Sequence, residues 1–126
     1  MRFLTTVKSV ETGVRPPEKL IQAMHQFIQE AIGKGVLYET GGLTPSREGK
    51  FYRIAGDELH VTDGPYAEAK EVVGGYAILE CASRDEANIW ATRFMQLHID
   101  NWPGWEGSAD LREMHPFAGT NVPRAG

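Results

Sequence analysis

Residues 62–76 read Thr62-Asp63-Gly64-Pro65-Tyr66-Ala67-Glu68-Ala69-Lys70-Glu71-Val72-Val73-Gly74-Gly75-Tyr76. An Asp-Gly-Pro turn, an alternating-charge segment and a Gly-Gly pair lie here between two apolar, β-rich runs. That composition predicts a structured loop joining two strands rather than a linker. Pro65 fixes φ near about −65° and removes one N–H. Gly64 admits backbone angles closed to other residues, and the Asp63 carboxylate can accept hydrogen bonds from N–H groups just downstream. Together they predict a carboxylate held in one direction at the exit of a strand.

Upstream of the turn, Phe51–Ala55 and Leu59–Thr62 read as a hairpin about Gly56-Asp57. Downstream, Val72–Glu80 reads as a buried strand, and Ser83-Arg84-Asp85-Glu86 matches the capping box that opens a helix. On that helix Ala87, Trp90, Ala91, Phe94, Leu97 and His98 share one face, and Pro103-Gly104 bars its continuation. A last strand is expected from Ser108 to Met114, with a loosely held tail from Pro116.

At the other end, residues 2–8 alternate as a central strand, with Phe3, Thr5 and Val7 on one side and Leu4 and Thr6 on the other. From Glu18 to Lys34 the apolar residues Leu20, Ile21, Met24, Phe27, Ile28, Ala31 and Ile32 fall at helical spacing, and Gly33 and Gly35 supply the stop. Val36–Leu43 is a further strand, interrupted by Gly41-Gly42, where a bulge or a close backbone approach is expected. The order is a split βαβ pattern: an α+β sandwich with both helices on one face of an antiparallel sheet. The strands carry apolar residues on both sides, so the uncovered sheet face predicts a homodimer formed through it.

A chain of 126 residues is one domain; we expect its body to be residues 1–115, with 116–126 as the tail. Hydrophobic content of 41% and charged content of 24% suit a globular domain, and the formal charge of −4 argues against nucleic-acid or anionic-membrane partners. No apolar run approaches the roughly 20 residues of a membrane span, and the start at Met1 has too short an apolar stretch for a signal peptide. A cytoplasmic setting is therefore expected. Cys81, without an internal partner, reads as a small buried hydrophobe. His25, His60, His98 and His115 share no i, i+4 pair, and the Gly-Gly pairs lack phosphate-loop spacing, so no metal or organic cofactor is predicted.

The run Asp63-Gly64-Pro65-Tyr66-Ala67-Glu68-Ala69-Lys70-Glu71, followed by Gly74-Gly75-Tyr76-Ala77-Ile78-Leu79-Glu80, resembles the signature of the YCII-related family of the DGPF type. The usual fourth residue of that motif is Phe; Tyr66 keeps the ring and adds a hydroxyl. The resemblance implies a ferredoxin-like fold of the dimeric α/β barrel type, with sheet-to-sheet dimers. It also implies a His and Asp dyad, with Asp63 as the carboxylate and His25, on the first helix, as the closest counterpart of the histidine. An oriented pair of this kind can move protons near neutral pH.

Tyr66, Tyr76 and His98 are the expected substrate contacts around that pair. Each also has a plain structural reading: Asp63 as a turn-former, His98 as a cation at a helix C-terminus, Tyr76 as core. Two function classes stay open. One is a cofactor-independent small-molecule enzyme with isomerase- or lyase-like acid/base chemistry. The other is a non-catalytic homodimeric ligand-binding or regulatory module.

Overall fold

The computed structural model describes residues 1–66 and 71–117. The Glu68 and Lys70 charges and the tail from residue 118 lie outside the described residues. The elements in chain order are β1 (Arg2–Ser9), α1 (Glu18–Gly33), β2 (Leu37–Gly42), β3 (Lys50–Ala55), β4 (Glu58–Asp63), β5 (Val72–Glu80), α2 (Arg84–Asn101) and β6 (Ser108–Glu113). A 3₁₀ turn at Ser46–Glu48 follows β2. Four strands form one antiparallel sheet in the order β2-β5-β1-β6, while β3 and β4 form a separate two-stranded sheet. This is the α+β order of a ferredoxin-like sandwich, with a hairpin inserted between β2 and β5.

Local chemistry sets the boundaries. Ser83 accepts the Glu86 N–H at 3.1 Å, and the Glu86 carboxylate reaches back to the Ala82 N–H at 2.9 Å, so α2 begins on a reciprocal cap. Gly35, at φ +70°, closes α1 in the left-handed region where a side chain would be strained. Gly56 and Asp57 both have positive φ, the turn whose twist matches a two-residue hairpin, so β3 and β4 pair in register from Lys50↔Asp63 to Ala55↔Glu58. The expected irregularity in β2 is displaced: the register shift falls between Leu37 and Glu39, and Gly41 is instead the place where the Tyr76 ring crosses close to the backbone.

Alternation along β1 turns Phe3, Thr5 and Val7 toward the helices and Leu4 and Thr6 toward the uncovered face. Phe3, Ala31, Val36, Leu79, Cys81, Ala87 and Trp90 form the core on the helix side. The Phe27 and Trp90 rings meet edge to face at 5.5 Å and join the two helices. Over that pair lies the Arg93 guanidinium, which donates two hydrogen bonds to Glu30 at 2.7 and 2.9 Å. Burial pushes the Cys81 thiol above its ordinary pKa, which keeps it protonated and inert, as expected of a buried hydrophobe.

Candidate functional site

Strands β1, β2 and β5 and the two helices surround a cavity of about 360 Å³ on the helix side of the sheet. Small-molecule sites occupy roughly 300–1,000 Å³. Met24, Phe27 and Ile28 from α1 and Trp90 and Phe94 from α2 give it an apolar wall. The sheet wall is nearly bare at one corner, where Gly41, Gly42, Gly74 and Gly75 contribute no side chains.

Besides Tyr76, whose hydroxyl is bonded to Glu39, the polar side chains Thr5, Thr40 and His98 line this apolar space. Thr40 donates to the Tyr76 carbonyl at 2.9 Å. Thr5, 8% exposed, makes no side-chain hydrogen bond. His98, 7% exposed, lies between Phe94 and Trp105, whose rings are 5.1 and 4.5 Å away. Its Nδ1 sits 3.1 Å from the Phe94 carbonyl oxygen. A carbonyl only accepts, so Nδ1 carries the proton and Nε2 is left as the acceptor nitrogen. No fully enclosed side-chain nitrogen or oxygen among the described residues lacks a partner. The Thr5 hydroxyl and His98 Nε2, which have none, therefore open onto accessible space.

Burial lowers the His98 pKa from the ordinary 6.5, against an opposing pull from the Phe94 and Met95 carbonyls. Desolvation disfavours the imidazolium, so the ring is neutral at pH 7 and its lone pair is available.

The other expected site residues lie elsewhere. Asp63 ends β4 with its carboxylate exposed and 3.0 Å from Lys50 Nζ, its register partner across the hairpin. His25 is exposed on α1, and neither residue lines the cavity. No hydrogen bond or ion pair joins the two. Tyr66 donates to the Lys50 carbonyl at 3.1 Å and packs its ring 5.5 Å from Phe51, at the base of the hairpin. Tyr76 does border the cavity, but its hydroxyl donates to Glu39 at 2.7 Å. Its register partner Thr6 bonds Asp110, which sets that row of side chains on the uncovered face. Of the five expected residues, only His98 and Tyr76 share the cavity.

The loop that holds the Asp-Gly-Pro turn is tacked down by contacts that local sequence did not announce. Glu11 accepts hydrogen bonds from the backbone N–H and the hydroxyl of Ser46, and these lower its pKa. The Gly64 N–H donates to the Gly49 carbonyl at 2.9 Å. Thr5, Thr40, Phe27 and Phe94 were also not singled out as site residues. The one sequence signal that pointed toward them was the presence of Gly-Gly pairs in two strands.

Among the described residues, no group of three or more His, Cys, Asp or Glu side chains could hold a metal ion. No helix among them is long and apolar enough to cross a membrane. A family model described as the YCII-related domain matches residues 1–95, which covers every element up to the middle of α2. His98 falls just past the matched stretch. An uncharacterized protein of Rhizobium meliloti (strain 1021) is 31% identical over 70 residues, 56% of this chain and 56% of that protein. The chain thus spans about half the length of that curated relative.

Proposed function

The chain belongs to the YCII-related family, and from that premise we propose that it binds a small, largely apolar molecule bearing one hydroxyl group in the cavity between its helices and its sheet. The observation that carries this reading is the pairing of apolar walls with two nearly buried polar groups that lack protein partners, Thr5 Oγ and His98 Nε2. A polar group withdrawn from water costs free energy until something hydrogen-bonds to it. A hydroxyl donating to His98 Nε2 would satisfy the imidazole, and the rest of the molecule would fill the apolar space.

The binding-module class therefore has the stronger support. If the bound molecule is also converted, as an isomerase- or lyase-like enzyme would do, neutral His98 is the group placed to take its proton. The acid/base role then passes from the Asp63–His25 pair to His98. Phenol and toluene separate the terms, because both fill apolar space and only phenol donates. We expect His98→Leu to weaken phenol binding about 10-fold, the worth of roughly one hydrogen bond, and to leave toluene unchanged in titration calorimetry. Equal phenol affinity in the two proteins would remove His98 from the site, and no phenol binding by the wild type would remove the site.

For assembly we propose a homodimer through the uncovered sheet face, the dimeric α/β barrel arrangement, extended by the hairpin. Tyr52, Ile54, Leu59 and Val61 occupy one face of β3 and β4, at 63%, 78%, 62% and 50% exposure. A lone two-stranded hairpin with such a face is marginal in water. Two-fold symmetry lets each copy cover the other's. We expect the wild type to sediment as a dimer at micromolar concentration and Ile54→Lys to sediment as a folded monomer. A monomeric wild type would end the dimer proposal, and a dimeric Ile54→Lys would take the hairpin out of the interface.

A further inference from the structure

Resting on the cavity reading above, we propose that Gly42 and Gly75 set the size of the ligand, and that the bare backbone they expose admits a planar fused-ring molecule carrying a hydroxyl. The two are register partners across β2 and β5, and Gly75 also lies opposite Val7 of β1. They continue the helix-facing row in which Leu37 pairs with Leu79 and Thr40 with Ala77. Every other pair in that row carries side chains toward the helices. This one carries none.

Glycine is not required at either position by the backbone, since positive φ among the described glycines occurs only at Gly13, Gly35, Gly56 and Gly104. Crowding does not require it at Gly42, and at Gly75 it asks the facing backbone to give by only a few tenths of an ångström. A Cβ on Gly42 would meet only the Gly74 carbonyl oxygen at 3.8 Å, and one on Gly75 only the Gly41 carbonyl oxygen at 3.3 Å. Gly41 differs, because a Cβ there would come within 3.0 Å of the Tyr76 ring. A strand interior with glycine is weakened and marks either a bulge or a place where something approaches the backbone closely. The bulge here falls at Gly74, which the β1 register passes over between Val7 and Lys8, and it leaves Gly42 and Gly75 unexplained. Here what lies in front of the pair is the cavity, whose lining also includes Thr5 and His98.

The opposite wall determines the shape of what fits. Phe27 and Phe94, with ring centroids 5.9 Å apart, belong to the helix wall of the same cavity. A slot with flat peptide backbone on one side and aromatic rings on the other favours a planar ring system, which can stack against or meet those rings edge-on. Closing the slot at Gly42 should exclude two fused rings and still admit one.

The test compares 2-naphthol and phenol, both hydroxyl donors, on the wild type, Gly42→Val and Gly75→Ala by titration calorimetry. Valine suits a strand, so Gly42→Val should keep or raise the thermal midpoint. The wild type should bind 2-naphthol about 10-fold more tightly than phenol. Gly42→Val should lose that preference while holding phenol within about twofold, with Gly75→Ala changed in the same direction. Unchanged 2-naphthol affinity in both variants would overturn this inference and leave the cavity reading standing. Failure of the wild type to bind phenol would overturn both. If Gly42→Val does not fold, Gly75→Ala decides alone.

Discussion

Phe3→Ala should lower the free energy of unfolding by about 3–5 kcal/mol, the range for truncating a buried phenylalanine. Phe3 is 1% exposed and sits on β1, one of the two inner strands, opposite Leu79 and Glu113. Its ring is part of the helix-side core with Trp90 and Ala87, so truncation leaves a void in close-packed surroundings. Domains of this size have total stabilities of about 5–15 kcal/mol, so the loss is about a third to a half of a mid-range value. Urea unfolding followed by tryptophan fluorescence measures the difference. Phe3→Leu, which keeps most of the volume, should cost under about 1.5 kcal/mol. A loss below that figure for Phe3→Ala would mean that the core lies elsewhere.

Gly64→Ala should cost about 1–3 kcal/mol, although it adds only a methyl group. A Cβ on Gly64 would overlap the Ser46 carbonyl oxygen and press on the Arg47 Cα, which is backbone and cannot rotate away. The 3₁₀ turn and the Asp-Gly-Pro loop must then separate, which breaks the Gly64–Gly49 hydrogen bond and strains the Glu11–Ser46 contact. Gly74→Ala is the control, since a Cβ there meets nothing within 4 Å. The thermal midpoint should fall by several degrees for the first and stay near wild type for the second. An unchanged midpoint for Gly64→Ala would show that the loop is not seated against Ser46.

The two predictions divide what the sequence made legible from what it did not. Phe3, the capping box at Ser83–Glu86 and the Gly56-Asp57 hairpin are local signals: a period of two, a side chain reaching three residues on, a turn that needs positive φ. Each was readable within a window of a few residues, and together they delivered the order of strands and helices. Gly64 shows the limit. Within its own stretch the glycine reads as freedom for a turn, whereas its tightest requirement comes from Ser46, which only the folded loop brings near.

The site was less legible for the same reason. Asp63 drew attention by its neighbours in sequence, yet its carboxylate faces Lys50 across a hairpin. The cavity depends on Gly42 meeting Gly75 across two strands and on helix faces closing over them. Those distances are set by register and packing, which no single stretch records. His98 was legible as a buried histidine; that its second nitrogen is left free follows only from the bond its first makes to Phe94.

The pair of hydrogen bonds from Arg93 to Glu30 has a kinetic consequence for anything that occupies the cavity. The same two helices are tied at their far end by one long contact, Lys19 Nζ to the Asp100 carbonyl at 3.3 Å. A fork of two charge-assisted bonds on one side and a single bond on the other make α1 and α2 a door hung on Arg93. We expect it to open at the end that carries His98, near the C-terminus of α2. Residence time of a bound molecule would then be set by how often that end opens, and strengthening the latch at Lys19 would slow entry and exit alike without altering the equilibrium between them.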